Sequence, residues 1–418
     1  MRLDTLLNLE KNNWKRTLII IFLAQLASAV GFSTIFPFLP LYVAELGSST
    51  GLKLEFLAGA VFSAQALTMM LASPFWGVLA DRYGRKVMVV RANAGGAISI
   101  LLMAFVQSAE QLVLLRALQG LLSGVISANN ALIASIAPRR HTGFAMGLLQ
   151  VGLGAGFALG PLLGGLIADW YGYREVFYVT AGLLLLSSLL VLVGVREDKE
   201  PYRAEGSHVQ FFQVWKQSLA RPGVKAAYTL RFLASLGRML LVPVIPLFIV
   251  TLSALSFSEN TFTGLVVGVS SATTTASAVI LGRLADRVGS RKVVLICGML
   301  TALLFIPHYF IVEGWQILLL QALVGIGVGG ITPGISALLA GLSPQGEEGA
   351  AFGIDNAINA AGRMVAPLVG SAVAVWFGLR AVFLANGVIY LLAGLLTAVL
   401  LLGQRRTGRG REEFTKSA

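Results

Sequence analysis

Gly77-Val-Leu-Ala-Asp81-Arg82-Tyr-Gly84-Arg85-Lys86 stands between two long apolar runs, and Gly282-Arg-Leu-Ala-Asp286-Arg287-Val-Gly289-Ser-Arg291-Lys292 stands between two others. The second copy carries one extra residue before its Arg-Lys pair. Working outward from these loops, apolar stretches fall at 17–42, 55–79, 87–106, 110–134, 142–168, 174–194, 223–251, 260–284, 292–312, 315–339, 347–373 and 380–402. Each reaches the roughly 20 residues that cross ~30 Å of hydrocarbon. The pattern predicts an all-α membrane protein with twelve transmembrane helices.

Composition points the same way. Of 418 residues 56% are hydrophobic and 12% charged, about half the charged share of a soluble domain, and the mean hydropathy is +0.79. The 47 glycines suit helices that approach closely in lipid. The lone Cys297 lies in an apolar run and reads as a packing residue. The run 17–42 is too long for a signal h-region and lacks a small-residue cleavage site, so it reads as the first span.

The net charge of +12 does not imply nucleic acid, because the basic residues cluster in short segments between spans. Of the 32 Lys and Arg, three lie in one set of alternate loops (Lys53, Arg174, Arg380) and four inside spans (Arg116, Arg231, Arg238, Arg363). All others fall in the opposite set and the two termini. By the positive-inside rule both termini are cytoplasmic.

The two halves repeat. Pro37 and Pro40 recur as Pro243 and Pro246, and Trp170-Tyr-Gly172-Tyr-Arg174-Glu-Val-Phe177 recurs as Trp376-Phe-Gly378-Leu-Arg380-Ala-Val-Phe383, both shifted by 206. Leu114-Leu-Arg116-Ala-Leu-Gln-Gly120 recurs as Leu319-Leu-Gln321-Ala-Leu-Val-Gly325. The expected organisation is an N-terminal six-helix bundle over 1–195, a charged cytoplasmic linker over 196–222, and a C-terminal six-helix bundle with a basic tail over 223–418. Two such pseudo-symmetric bundles suit alternating access around a site at the repeat interface.

The duplicated loop resembles the signature of the major facilitator superfamily. The resemblance implies a conformational latch formed by Gly77, Asp81, Arg82, Gly84 and Arg85, with Asp286 and Arg287 in the copy. Gly84 can make the tight turn, and Asp81 can cap a neighbouring helix N-terminus. In the fifth span Gly152-Leu-Gly154-Ala-Gly156-Phe-Ala-Leu-Gly160-Pro161-Leu-Leu-Gly164-Gly165 resembles the family's antiporter signature. Its small residues form a flat packing face, and Pro161 is expected to kink the helix. The fourth-span stretch around Arg116 is similar to the motif whose Arg assists proton transfer. Phe36-Pro37-Phe-Leu-Pro40, Asn13-Trp-Lys-Arg16 and Asn129-Asn-Ala-Leu-Ile-Ala134 look like the twelve-span drug:proton antiporters. That likeness implies an inner-membrane monomer working on small molecules and protons, with no cofactor.

Asp355 is the only carboxylate well inside a span, which makes it the candidate proton carrier. At 1.5 Å rise per residue it lies about 12 Å from the cytoplasmic end, and Arg231 lies at a similar depth. Depth therefore pairs Asp355 with Arg231, whereas Arg116 falls in the outer half. Arg116, Arg231 and Asp355 form the expected proton-coupling set. Gln25, Gln65, Gln150, Asn129, Asn130, Asn356 and Asn359 are expected to line the substrate cavity, since polar side chains in spans face a cavity or another helix. Phe36, Arg238 and Arg363 join them, with Phe38, Phe62, Met69 and Met70 as further apolar candidates. His308, near an outer helix end, reads as incidental.

Four embedded arginines against one aspartate, and a first span without an acidic residue, favour anionic or zwitterionic cargo over cations. No metal-ligand cluster, phosphate-binding loop or nucleophile–base pair stands out, which argues against an enzyme or a nucleotide-driven pump. The expected function is proton-coupled export of drugs or other small amphiphiles. The alternatives are export of a metabolite or lysolipid, then proton symport, then a membrane receptor.

Overall fold

Lipid offers no hydrogen-bond partners, so a spanning segment must satisfy its backbone within itself, and long apolar runs fold as helices. The computed structural model describes residues 3–138, 141–195, 197, 223–252, 258–342 and 348–416. These hold twelve helical stretches long and apolar enough to cross a bilayer, from Trp14–Ile35 to Leu379–Val399. Of the expected linker, only Glu197 falls within the described residues.

The helices are α1 (Leu3–Ile35), α2 (Leu39–Leu46), α3 (Leu54–Tyr83), α4 (Arg85–Met103), α5 (Ala109–Leu122), α6 (Val125–Ile136), α7 (Thr142–Tyr171) and α8 (Tyr173–Gly194). They are followed by α9 (Val224–Leu240), α10 (Val244–Ile249), α11 (Glu259–Val288), α12 (Ser290–Phe305), α13 (Gly314–Leu342), α14 (Glu348–Phe377) and α15 (Leu379–Lys416). A short 3-10 turn, Pro307–Phe310, follows α12.

Three spans read as continuous in the sequence are broken. The first stops at Ile35 and restarts at Leu39, where Pro37 and Pro40 lack the N–H that would extend the ladder. The seventh breaks in the same way between Leu240 and Val244. The fourth breaks at Ser123–Gly124, with Gly124 at φ 120°, a conformation that favours glycine. By contrast α7 continues through Pro161 from Thr142 to Tyr171.

The chain divides into two compact units. One comprises Met1–Glu205 with Ile245–Val250 and Leu255–Gly268, and the other Gly206–Val244, Thr251–Ala254 and Val269–Ala418. In the first, α1 packs on α7 and α8, α3 on α5, and α4 on α8. In the second, α9 packs on α14 and α15, and α12 on α13 and α15.

The repeat is visible in the packing itself. A Cβ at Gly156 would meet Ala29 and Val30 of α1, and one at Gly362 would meet Ser235 of α9, with Ala29 and Ser235 at equivalent positions. Gly120 nests against Thr68, and Gly325 against Thr273. Outward-facing large side chains such as Leu114, Phe144, Val193 and Ile280 are exposed, as suits helices solvated by lipid.

Candidate functional site

In the second unit, α9 carries Arg231 and α14 carries Asp355, and the two helices pack along their length. Arg231 Nε donates to Asp355 Oδ1 at 2.5 Å, with 5% and 11% side-chain exposure. These are the two residues that depth along the spans pairs. Arg231 Nη2 donates to Ser336 Oγ on α13 at 2.7 Å, so the guanidinium bridges three helices. Tyr228, one turn earlier on α9, is buried and lies within electrostatic range of Asp355.

Two turns farther along α9, Arg238 donates through Nη2 to Thr332 Oγ1 at 2.6 Å. Thr332 lies one turn before Ser336 on α13, so one helix supplies hydroxyl acceptors to both arginines. Arg238 and Arg363 stand close enough for each charge to act on the other. Asn359 uses its backbone carbonyl, accepting from Ser235 Oγ at 2.8 Å, and Asn356 is exposed.

In the first unit the candidates form two clusters. Arg116, 2% exposed, donates to Gln119 Oε1 and Gln65 Oε1, each at 2.5 Å, and to Val61 O at 3.4 Å. Its Cζ lies 5.8 Å from the Phe36 ring and 5.7 Å from the Phe62 ring, within cation–π range. Asn129 Nδ2 donates to Gln25 Oε1 in the buried interior. Asn129 Oδ1 and Asn130 Oδ1 are buried without a hydrogen-bond partner among the described residues. Gln150 is exposed on α7. Arg116 and Asp355 thus belong to different units.

At the first loop signature, Gly84 has φ 97°, the turn geometry expected of it. Glu197 then accepts the N–H groups of Arg85 at 2.9 Å and Lys86 at 2.8 Å, capping the positive end of α4. A Cβ at Gly84 would lie 2.9 Å from Glu197 Oε2. Arg85 Nη1 donates to Ala131 O at 3.0 Å, and Arg82 sits 5.5 Å from the Tyr83 ring. Gly77 and Asp81 fall on α3, and their side-chain surroundings lie outside the described residues. In the copy, Gly289 has φ 97° while Asp286 and Arg287 are exposed.

The antiporter-like helix α7 has two packing faces. Gly152, Gly156, Gly160 and Gly164 receive α1 at Phe22, Ala29, Val30, Ser33 and Thr34. Gly165 and Pro161 instead meet the first turns of α11, with Gly165 against Asn260 O and Gly264 against Pro161 O. The seam ends on Asp169, which in the sequence reads only as a helix-end charge. Its carboxylate accepts from Thr261 N at 2.8 Å and Asn260 Nδ2 at 2.9 Å, and from the hydroxyls of Ser258 and Thr261.

Arg91 makes contacts that its place in the charge count does not reveal. Counted with the cytoplasmic loop, it lies in the second turn of α4, with Cζ 3.4 Å from the Trp76 ring centroid. Arg91 Nη2 donates to Ser123 O at 3.2 Å, and Trp76 Nε1 donates to Leu121 O at 2.6 Å. Together they satisfy carbonyls freed where the fourth span breaks. His308, read as incidental, is fully buried, with Nδ1 at 2.8 Å from Leu304 O and its ring stacked on Phe383.

Comparison with known proteins gives a consistent picture. Residues 21–230 and 227–417 each match the Major Facilitator Superfamily. The chain is 36% identical over 397 residues to multidrug resistance protein MdtG of Enterobacter lignolyticus (strain SCF1), covering 95% of this chain and 94% of that protein. It is 37% identical over 373 residues to MdtG of Salmonella arizonae, covering 89% and 92%. Among solved structures, a bacterial homolog of the human lysosomal transporter Spinster, inward-facing and occupied, matches with TM-score 0.79 and 13% identity over 93% of this chain and 96% of that one. The human organic anion transporter MFSD10 (TETRAN) matches with TM-score 0.64 and 18% identity over 92% and 99%. At these identities the two structures speak to fold alone.

Proposed function

Because this chain belongs to the Major Facilitator Superfamily, matched in both halves, and is a membrane transporter rather than an enzyme, we propose that it exports drugs or other small amphiphiles in exchange for protons. The carrying observation is the buried Arg231–Asp355 pair. A carboxylate held by one cation inside a span can load a proton, and doing so changes the charge of the pair from zero to +1. That change can be traded against an anionic or zwitterionic cargo.

Arg238 and Arg363 supply the cargo side of this reading. Both lie on the helices that hold the ion pair, and their mutual repulsion is relieved when an anion binds between them. The names of the similar MdtG proteins support drugs among the cargo. The antiporter-like face of α7 supports export over symport. The basic segments support an orientation in the bacterial inner membrane with both termini cytoplasmic, and the family membership supports a monomer. The bundles 1–195 and 223–418, joined by 196–222, are the two bodies that rock to alternate access, with the loop signatures as cytoplasmic latches.

The test uses acid-loaded everted vesicles and a panel of anionic, zwitterionic and cationic drugs, comparing wild type with Asp355→Asn. Gradient collapse by anionic compounds in wild type alone is the expected result. Equal collapse by cations in both proteins would remove Asp355 and the positive cavity from the mechanism. No proton flux with any drug would overturn drug:proton exchange.

A further inference from the structure

A guanidinium that meets a carboxylate side-on offers Nε and Nη2 in parallel, one to each oxygen, and that fork is the strong form of the pair. The Arg231–Asp355 pair uses only half of it. Nε donates to Oδ1 at 2.5 Å, but Nη2 turns to Ser336 Oγ at 2.7 Å. Among the described residues Asp355 Oδ2 accepts no hydrogen bond, and the aspartate side chain keeps 11% exposure against 5% for the arginine. One oxygen carries the guanidinium's hydrogen bond and the other carries none among the described residues.

We propose that Ser336 is a positioning residue that draws Nη2 away from Asp355 and so keeps Oδ2 open as the atom that receives the proton. The inference rests on the proton-coupling reading above and names the device that keeps the pair switchable. A two-bond fork would bind both carboxylate oxygens and oppose protonation. With Nη2 held elsewhere, a proton taken up from solution adds to Oδ2 while Oδ1 still accepts from Nε, and the guanidinium stays tethered to α13.

The surroundings leave this role to a hydroxyl. α13 carries no titratable side chain anywhere along Gly314–Leu342, so its contribution to the pair cannot change charge. From α9 the groups facing the carboxylate are Arg231 and Tyr228. Farther along the same helices stand Arg238 and Arg363, which act on each other, and α15 contributes Tyr390, which faces Arg238, and Arg380 at its outer end, which donates to Tyr309 O. Replacing Ser336 therefore leaves the charged groups around the pair unchanged.

The experiment follows the C=O stretch of protonated Asp355 by difference infrared spectroscopy of purified protein in bilayers. The band is assigned as the one lost in Asp355→Asn. In Ser336→Ala, Nη2 is free to turn onto Oδ2, and the midpoint of the band's titration is expected to move about one pH unit toward acid, a tenfold change in proton affinity. Ser336→Thr keeps the hydroxyl and is expected to titrate like wild type. Equal midpoints in Ser336→Ala and wild type, or a shift toward base, would overturn the proposal. An acid shift without drug-driven proton flux in vesicles would support the positioning role and remove the antiport reading instead.

Discussion

Gly156 offers the sharpest test of the frame that carries the site. In Gly156→Ala the new Cβ would stand 2.8 Å from Val30 N and 2.9 Å from the Ala29 carbonyl carbon. Both neighbours are backbone of α1 and cannot rotate away. Ordinary contact lies at about 3.5–4.0 Å, so α1 and α7 must separate by roughly 1 Å. A gap of about 0.5–1 Å forfeits a quarter to a half of each facing contact, and the seam includes Gly152, Gly160 and Gly164. Overpacking of this kind costs about 1–3 kcal/mol, against a helix-propensity gain of at most ~1 kcal/mol.

Gly147 lies on the same helix, and a methyl added there would meet nothing within 4 Å, so Gly147→Ala keeps the propensity gain without the clash. The two variants are expected to differ by about 2 kcal/mol, the sum of the gained propensity and the net overpacking. Thermal unfolding of the purified proteins in one detergent measures the ordering, with Gly147→Ala at or above wild type and Gly156→Ala below it. If Gly156→Ala is as stable as Gly147→Ala, the close approach of α1 and α7 is not what the small residues are for.

Three further outcomes follow from other contacts. Asp169→Ala removes the acceptor for Thr261 N and three side-chain donors, and hydrogen bonds to a charged group contribute about 1.5–3 kcal/mol each. Its melting temperature should fall below that of Asp169→Asn, which keeps one oxygen. Gly84→Ala strains a φ of 97° and crowds Glu197, so its destabilisation should shrink in a Glu197→Ala background, read as a double-mutant cycle in thermal unfolding. Arg231→Met alone leaves a buried carboxylate without its cation and should lose about 3–5 kcal/mol, whereas Arg231→Met with Asp355→Asn should recover most of it in the same unfolding assay.

The spans, their number and the duplication were legible because lipid enforces long apolar runs and because repeated Gly and Pro positions survive divergence. The Arg231–Asp355 pair was legible because a helix converts residue count into depth at a fixed rise. The break at Ser123–Gly124 was not, since glycine is common in membrane helices. The groups that satisfy this break, Trp76 and Arg91, come from α3 and α4. Arg91 reads as one of the basic residues of the preceding loop signature although it already lies within the run 87–106, and α4 begins earlier still, at Arg85. Asp169 gives no signal as a carboxylate near a helix end, yet that is where a carboxylate can cap a neighbouring helix. Ser336 carries no signal at all, because a serine in a membrane helix usually bonds its own backbone.

The duplication also explains where the chemistry sits. Shifted by 206, Arg231 corresponds to Gln25 and Asp355 to Leu149, while Arg116 corresponds to Gln321 at a shift of 205. The helices at these positions pack alike in both units, as the nests at Gly156 and Gly362 and at Gly120 and Gly325 demonstrate. What differs is the polar pair each frame holds. At the Arg231 position the first unit has Gln25 bonded to Asn129, a neutral pair whose charge no proton changes. The second unit has an ion pair whose charge one proton does change. Conversely, Arg116 is held by the amide oxygens of Gln65 and Gln119, while its counterpart Gln321 is a neutral amide beside His308. On the proton-coupling reading proposed above, the symmetric frame holds its switchable carboxylate in one copy only at this pair of positions. The positions of the first unit that correspond to Arg231 and Asp355, Gln25 and Leu149, carry no titratable group.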